Sequence, residues 1–195
     1  MADALEWTEE LVAEYFELRG FVVIRDLPST TAPRGGRSDA DVVAFKRQEP
    51  RRAGRTLKVV DAEVGTAYLS AEAIAGKLEK KFSKARQRMI LSTVSKATGQ
   101  SANRMCYRKF YFDFGWLSEG GVLAELRDRL GGRVKVVGTK QLINASARAI
   151  DDWKRDNPTP KGGEPSLPER FPSLQVVLAC RYSWVRNEIA GELID

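Results

Sequence analysis

A chain of 195 residues is long enough to bury one sizeable core, and its content of 43% hydrophobic and 30% charged residues is globular and excludes extended disorder over most of its length. Lysine and arginine outnumber aspartate and glutamate by 32 to 26, an excess that favours polyanionic partners, and the absence of histidine excludes His-based triads, HNH-type nucleases and His-dependent zinc hydrolases. No apolar run approaches the roughly 18 residues of a membrane span, and the acidic, amphipathic start MADALEWTEELVAEYF is unlike a secretory signal, so a cytoplasmic protein without a membrane partner is expected. Cys106 and Cys180 each lie inside an apolar run and read as buried free thiols. One domain over residues 1–195 is expected.

In chain order, TEELVAEYFELR (8–19) spaces Leu11, Val12, Tyr15, Phe16 and Leu18 as a helix, with Thr8 as N-cap and Gly20 as its end. FVVIR (21–25) reads as a short buried strand, followed by a loop rich in Pro, Gly and Ser. ADVVAFK (40–46) and TLKVVDAEV (56–64) read as a second and third strand around a turn carrying Arg47, Arg51, Arg52 and Arg55. Residues 71–89 give one long helix with Ile74, Leu78, Phe82, Ala85 and Met89 as an apolar stripe.

From 104 to 116 the chain alternates, Cys106, Phe110, Phe112, Phe114 and Trp116 against Tyr107, Lys109, Tyr111 and Asp113, which predicts a strand half exposed to water. A helix at 118–130, the strand RVKVVG and a helix from about 140 to 155 follow. Residues 156–172 read as an exposed, mobile loop, and the alternation in SLQVVLACRYSW predicts a last strand before a short helix at 185–194. The fold class is α/β, with a mixed central sheet flanked by helices and its core over about 8–138.

The second strand carries Asp39 and Asp41 at its start, and the third carries Asp61 and Glu63 near its end. Side chains two apart on a strand share a face, so each pair can aim two carboxylates in one direction. Converging carboxylates repel unless a cation sits among them, and a hard divalent ion with oxygen ligands, Mg²⁺ or Mn²⁺, relieves the conflict. The bland alternatives are a turn residue for Asp39 and a salt bridge for Asp41. Glu63, in an apolar strand end, would be costly if buried unpaired.

The string GGRSDADVVAF, a charged hairpin and then LKVVDAEVGT resemble the D…(D/E)xK signature of the PD-(D/E)xK, restriction-endonuclease-like superfamily over residues 8 to about 116. The resemblance implies an αβββαβ core and a Mg²⁺-dependent (or Mn²⁺-dependent) DNA endonuclease, with Asp41 and Glu63 as catalytic metal ligands. A third ligand would come from the first helix, where Glu10, Glu14 and Glu17 are candidates and Glu14 is preferred. The family lysine two residues after Glu63 is replaced by Gly65. Lys77 or Lys81, one turn apart on the next helix, would supply it. Alternatively the register shifts, with Asp61 as ligand and Glu63 in the lysine's place.

Arg47, Arg51, Arg52 and Arg55 in the hairpin, and Lys84 and Arg88 on the helix, are candidate contacts to a phosphate backbone, DNA being expected over RNA. Lys80 and Arg86 add to that helical stripe, for which a solvated face is the alternative. Tyr107, Tyr111 and Trp153 are placed for either base stacking or core filling. A homodimer would suit a reaction that cuts both strands.

Overall fold

In a computed structural model of the chain, residues 2–28, 40–48, 54, 56–66, 69–115, 121–159 and 165–179 are described. Helix α1 (Ala2–Leu18) leads into strands β1 (Val22–Leu27), β2 (Ala40–Arg47) and β3 (Leu57–Gly65). Helices α2 (Ala71–Lys81) and α3 (Lys84–Thr98) precede β4 (Met105–Asp113), α4 (Gly121–Leu130), β5 (Lys135–Gly138) and α5 (Thr139–Asp156), and a further helix, α6, covers 172–179. The five strands form one mixed sheet in sequence order: β1–β2 and β2–β3 are antiparallel, β3–β4 and β4–β5 parallel. This is an α/β architecture with helices on both faces of the sheet.

The period-2 rule divides the sheet cleanly. Val42, Ala44, Val60, Ala62, Val64 and Phe112 pack with Leu11, Val12 and Phe16 of α1 and with α5 and α6. On the opposite face Val43, Phe45, Leu57 and Val59 pack with Ile90 and Val94 of α3, while Tyr111 and Val136 join α2 and α4. Asp41, Asp61 and Glu63 have the odd-numbered parity of this second face.

Several elements differ from the sequence expectation, each for a local reason. α1 begins at Ala2, so Thr8 lies within it, 6% exposed, and caps nothing at its start. β1 is a partly exposed edge strand, with Val22 58% exposed. The expected helix 71–89 is broken at Phe82–Ser83, because the Ser83 hydroxyl accepts from the Arg86 N–H (3.2 Å) and opens a new helix. β4 lies between β3 and β5, with Met105 and Tyr111–Asp113 buried and residues 106–110 half-buried or exposed, so the expected half-exposure holds over its first part only.

Residues 172–179 are helical, not a strand. Pro172 stands at the first helical position, where its missing N–H costs nothing, and Glu14 of α1 accepts from the next two N–H groups, Ser173 (3.0 Å) and Leu174 (2.8 Å). Over 173–179 the local alternation gave way to this long-range cap and to burial of Phe171, Leu174 and Val177 in the α1-side core. Cys106 is a half-buried free thiol; Cys180 and the expected helix at 185–194 lie outside the described residues. Among the described residues no helix is long and apolar enough to cross a membrane.

Candidate functional site

β2 and β3 pair in the register Val42↔Ala62 and Val43↔Asp61, and the same register carried one step further sets Asp41 opposite Glu63. Asp41 is fixed by its Oδ2, which accepts from the Val64 N–H at 2.8 Å. The other carboxylate oxygen, Oδ1, lies 3.8 Å from Lys81 Nζ, which also makes a close ion pair with Glu63 Oε2. One ammonium therefore touches both carboxylates. The side chain of Lys81 is 37% exposed and that of Glu63 only 2%, so the cluster reaches solvent past the lysine.

The helix break explains how two cations reach the same spot. Lys81 ends α2 and Arg86 lies in the first turn of α3, and both turn onto the β3 carboxylates. The Arg86 side chain, 5% exposed, bridges Asp61 and Glu63: Nε donates to Asp61 Oδ2 at 3.2 Å, Nη2 to Asp61 Oδ1, and Nη1 forms an ion pair with Glu63 Oε1. That last contact is close but poorly aligned, and Glu63 Oε1 is buried without a well-formed hydrogen bond. The Tyr107 hydroxyl donates to Asp61 Oδ2. Both oxygens of Asp61 are thus engaged.

Burial pushes the Glu63 carboxyl up to about 7, reinforced by the Asp41 charge, and Arg86 and Lys81 only partly reverse this. For Arg86, burial acts to lower the pKa, but Asp61 and Glu63 more than compensate, and the guanidinium stays charged. Burial and the Asp61 charge raise the Tyr107 phenol, which stays protonated as a donor. Asp113 is also raised by burial, against hydrogen bonds from the Gly115 N–H (3.2 Å) and the Tyr111 hydroxyl (3.5 Å).

The chain matches no family model, no curated protein and no solved structure. The site's chemistry rests on its own geometry. Among the described residues no group of three or more carboxylate, histidine or cysteine side chains is set to hold a metal ion. Two hard oxygens, Asp41 Oδ1 and Glu63 Oε2, converge on a single cation, here the Lys81 ammonium. One or two carboxylates, completed by water and phosphate oxygens, is the usual protein share of a Mg²⁺ site, so this donor set fits that ion.

Of the sequence candidates, Asp41, Glu63 and Lys81 come together. Glu14 does not: it lies on α1, which packs on the opposite face of the sheet, and both its oxygens cap α6. Burial raises its pKa against those two hydrogen bonds, an outcome of structure and not of metal binding. Glu10 and Glu17 are engaged with Arg25 at 2.9 and 2.8 Å. Lys77 is exposed on α2, with no contact to the cluster among the described residues. Asp61 is bound by Arg86 and Tyr107, so the shifted register loses its ligand.

Lys84 and Arg88 flank Arg86 on α3 and face solvent, and Arg47 is exposed at the end of β2. Asp39, Arg51, Arg52 and Arg55 lie outside the described residues. Arg86 and Tyr107 are the site residues that sequence reasoning missed: in sequence Arg86 counts in a basic stripe, either DNA-tracking or solvated, and Tyr107 stands between base stacking and core filling. Ser83, a cap residue three positions before Arg86, was the available signal.

Proposed function

We propose that the chain is a metal-dependent DNA endonuclease that hydrolyses phosphodiester bonds on a restriction-endonuclease-like core. The observation that carries this reading is the convergence of Asp41 and Glu63, from neighbouring antiparallel strands, on one ammonium donated by the next helix. The order of a helix, three antiparallel strands, helices and a parallel strand supports the core assignment, and Gly65 is offset by Lys81.

Asp41 Oδ1 and Glu63 Oε2 would hold a Mg²⁺ or Mn²⁺ ion, which supplies a Lewis acid for the phosphoryl oxygens and acidifies a bound water. The chain's own groups do the rest. The Val64 N–H fixes one oxygen of Asp41 and Arg86 occupies one oxygen of Glu63, which leaves the second oxygen of each toward the Lys81 side. Lys81 Nζ donates to the attacking water or to the phosphate as charge accumulates. Exposed Lys84 and Arg88 would track the DNA backbone.

Incubation of supercoiled, linear and single-stranded DNA with Mg²⁺ or Mn²⁺ tests the reading. Cutting by the wild type and its loss in Asp41→Asn and Glu63→Gln are expected; undiminished cutting by either variant overturns the site. Salt-sensitive DNA binding with no metal-dependent cutting would identify instead a catalytically silent nuclease-like module.

A further inference from the structure

On the other face of the sheet, at the opposite ends of β2 and β3, a cleft of about 730 Å³ is lined, among the described residues, by seven lysines and arginines and no acidic residue, although Lys109 turns its ammonium to the Phe82 carbonyl and Arg133 lies 3.9 Å from Glu79. Lys46 and Lys58 are directly paired across β2 and β3, and like charges in that position repel. Their ammonium groups lie 4.6 and 5.6 Å from the centroid of the Phe21 ring, and Lys135 lies 5.3 Å from that of Phe110. Lys46 donates to the Arg19 carbonyl at 3.1 Å, which leaves it two further N–H groups. Among the described residues Arg19, Lys46, Lys58, Arg108 and Lys135 have no carboxylate partner.

A fold that needed these side chains only for packing would gain by replacing at least one of the paired lysines with an uncharged residue. Burial, and then the neighbouring cations, lower the pKa of both Lys46 and Lys58, so the cluster is held at a cost that an anion would relieve. A neighbouring cleft shares Phe110, Gly132 and Lys135 with this one, and half-buried Phe110 and Tyr15 give it aromatic surface beside the charges. Phosphates in series next to a flat aromatic group are the chemistry that matches both parts.

We propose that this cleft is a phosphate-binding site, separate from the Asp41–Glu63 cluster, which takes consecutive phosphates of a nucleotide or a nucleic-acid strand. It does not depend on the endonuclease reading, and Asp41→Asn leaves it intact.

The test is binding of a short fluorescent single-stranded oligonucleotide across a range of salt, with ATP and inorganic tripolyphosphate as competitors. The variants are Lys46→Met/Lys58→Met, which keeps the apolar stems on Phe21, and the exposed pair Arg108→Ala/Lys135→Ala. Loss of two phosphate contacts should lower the slope of log affinity against log salt by about 1.4 in either double variant. Tripolyphosphate should raise the melting temperature of the wild type and not of Lys46→Met/Lys58→Met, which itself melts higher without ligand. Displacement by ATP at low concentration marks a free-nucleotide site; tight oligonucleotide binding that resists ATP marks a strand site. Unchanged affinity and salt slope in both double variants, or loss of binding in Asp41→Asn alone, overturns the proposal.

Discussion

Gly65 and the Tyr111 ring occupy adjoining space so closely that a Cβ on the glycine would overlap the phenol hydroxyl and sit 2.7 Å from Cζ. Gly65 is paired with Asp113 in the β3–β4 register and has no left-handed backbone to require glycine, so it is the close approach that excludes a side chain. The position where the resemblance leads one to expect lysine is physically filled by tyrosine. Gly65→Ala should therefore cost about 1–3 kcal/mol in a urea titration, the range for overpacking a buried site. Tyr111→Phe should not rescue it, since the ring carbon remains; full rescue by that change would count against the steric account.

Arg86 is the group on which the buried charges depend. Its removal leaves Asp61 and Glu63, 0% and 2% exposed, without their shared cation. Arg86→Met is expected to lose about 3–5 kcal/mol of stability. In an Asp61→Asn background the same change should cost clearly less, because one of the two stranded charges is gone. A double-mutant cycle by chemical denaturation measures this, and additive losses would show that the bridge carries no coupling.

Glu14 separates two roles that the sequence left open. As the cap of α6, it should lose about 0.5–2 kcal/mol on substitution by Gln, whose NH₂ cannot accept from the second N–H of Ser173 or Leu174. The folded Glu14→Gln protein should bind Mn²⁺ as the wild type does, read by titration calorimetry. Weaker Mn²⁺ binding without a change in melting temperature would return Glu14 to the metal site.

Much of this molecule is legible in its sequence, and the failures have physical causes. Short apolar runs placed β2 and β3 and period-2 alternation placed β4, while the meeting of Asp41 and Glu63, expected from the resemblance, depends on the β2–β3 register that the structure supplies. What propensity could not supply was long-range. The 71–89 stripe runs through Ser83 in sequence, yet a serine hydroxyl bonded to the Arg86 N–H ends one helix and starts another. Arg86 looks like one more member of a solvated basic stripe until that break turns it inward. Residues 173–179 alternate like a strand, but a carboxylate 159 residues away caps them as a helix.

The Glu63 carboxyl gives a pH signature. Its folded-state value of about 7 lies above the ordinary 4.5, so the ionised form is less favourable in the fold than in the unfolded chain. Its contribution is fully present below about pH 4.5 and declines as pH rises toward 7. At about 1.4 kcal/mol per unit the difference is at most about 3.5 kcal/mol. Glu14 and Asp113 are raised as well and add to the same limb, so the informative quantity is the difference between wild type and Glu63→Gln. Thermal melts across this range should show a shallower fall in the variant, and parallel curves would refute the assignment.

Lys77 and Lys81 stand one turn apart on α2, and only Lys81 reaches the carboxylates. Lys77→Ala, at an exposed position, should change stability by no more than about 0.5 kcal/mol and leave cleavage untouched. Lys81→Met removes a cation that competes for the two oxygens a divalent ion would use. It should therefore bind Mn²⁺ more tightly while cutting DNA about 10²–10⁴-fold more slowly, the usual worth of a positioned proton-transfer group. The opposite signs of the two effects distinguish a working lysine from a purely structural ion pair, whose loss would weaken binding and cutting together through local disorder. Calorimetric Mn²⁺ titration and single-turnover cleavage of one plasmid preparation supply both readouts, and a Lys81→Met protein that binds Mn²⁺ no better than wild type would remove Lys81 from the role assigned to it.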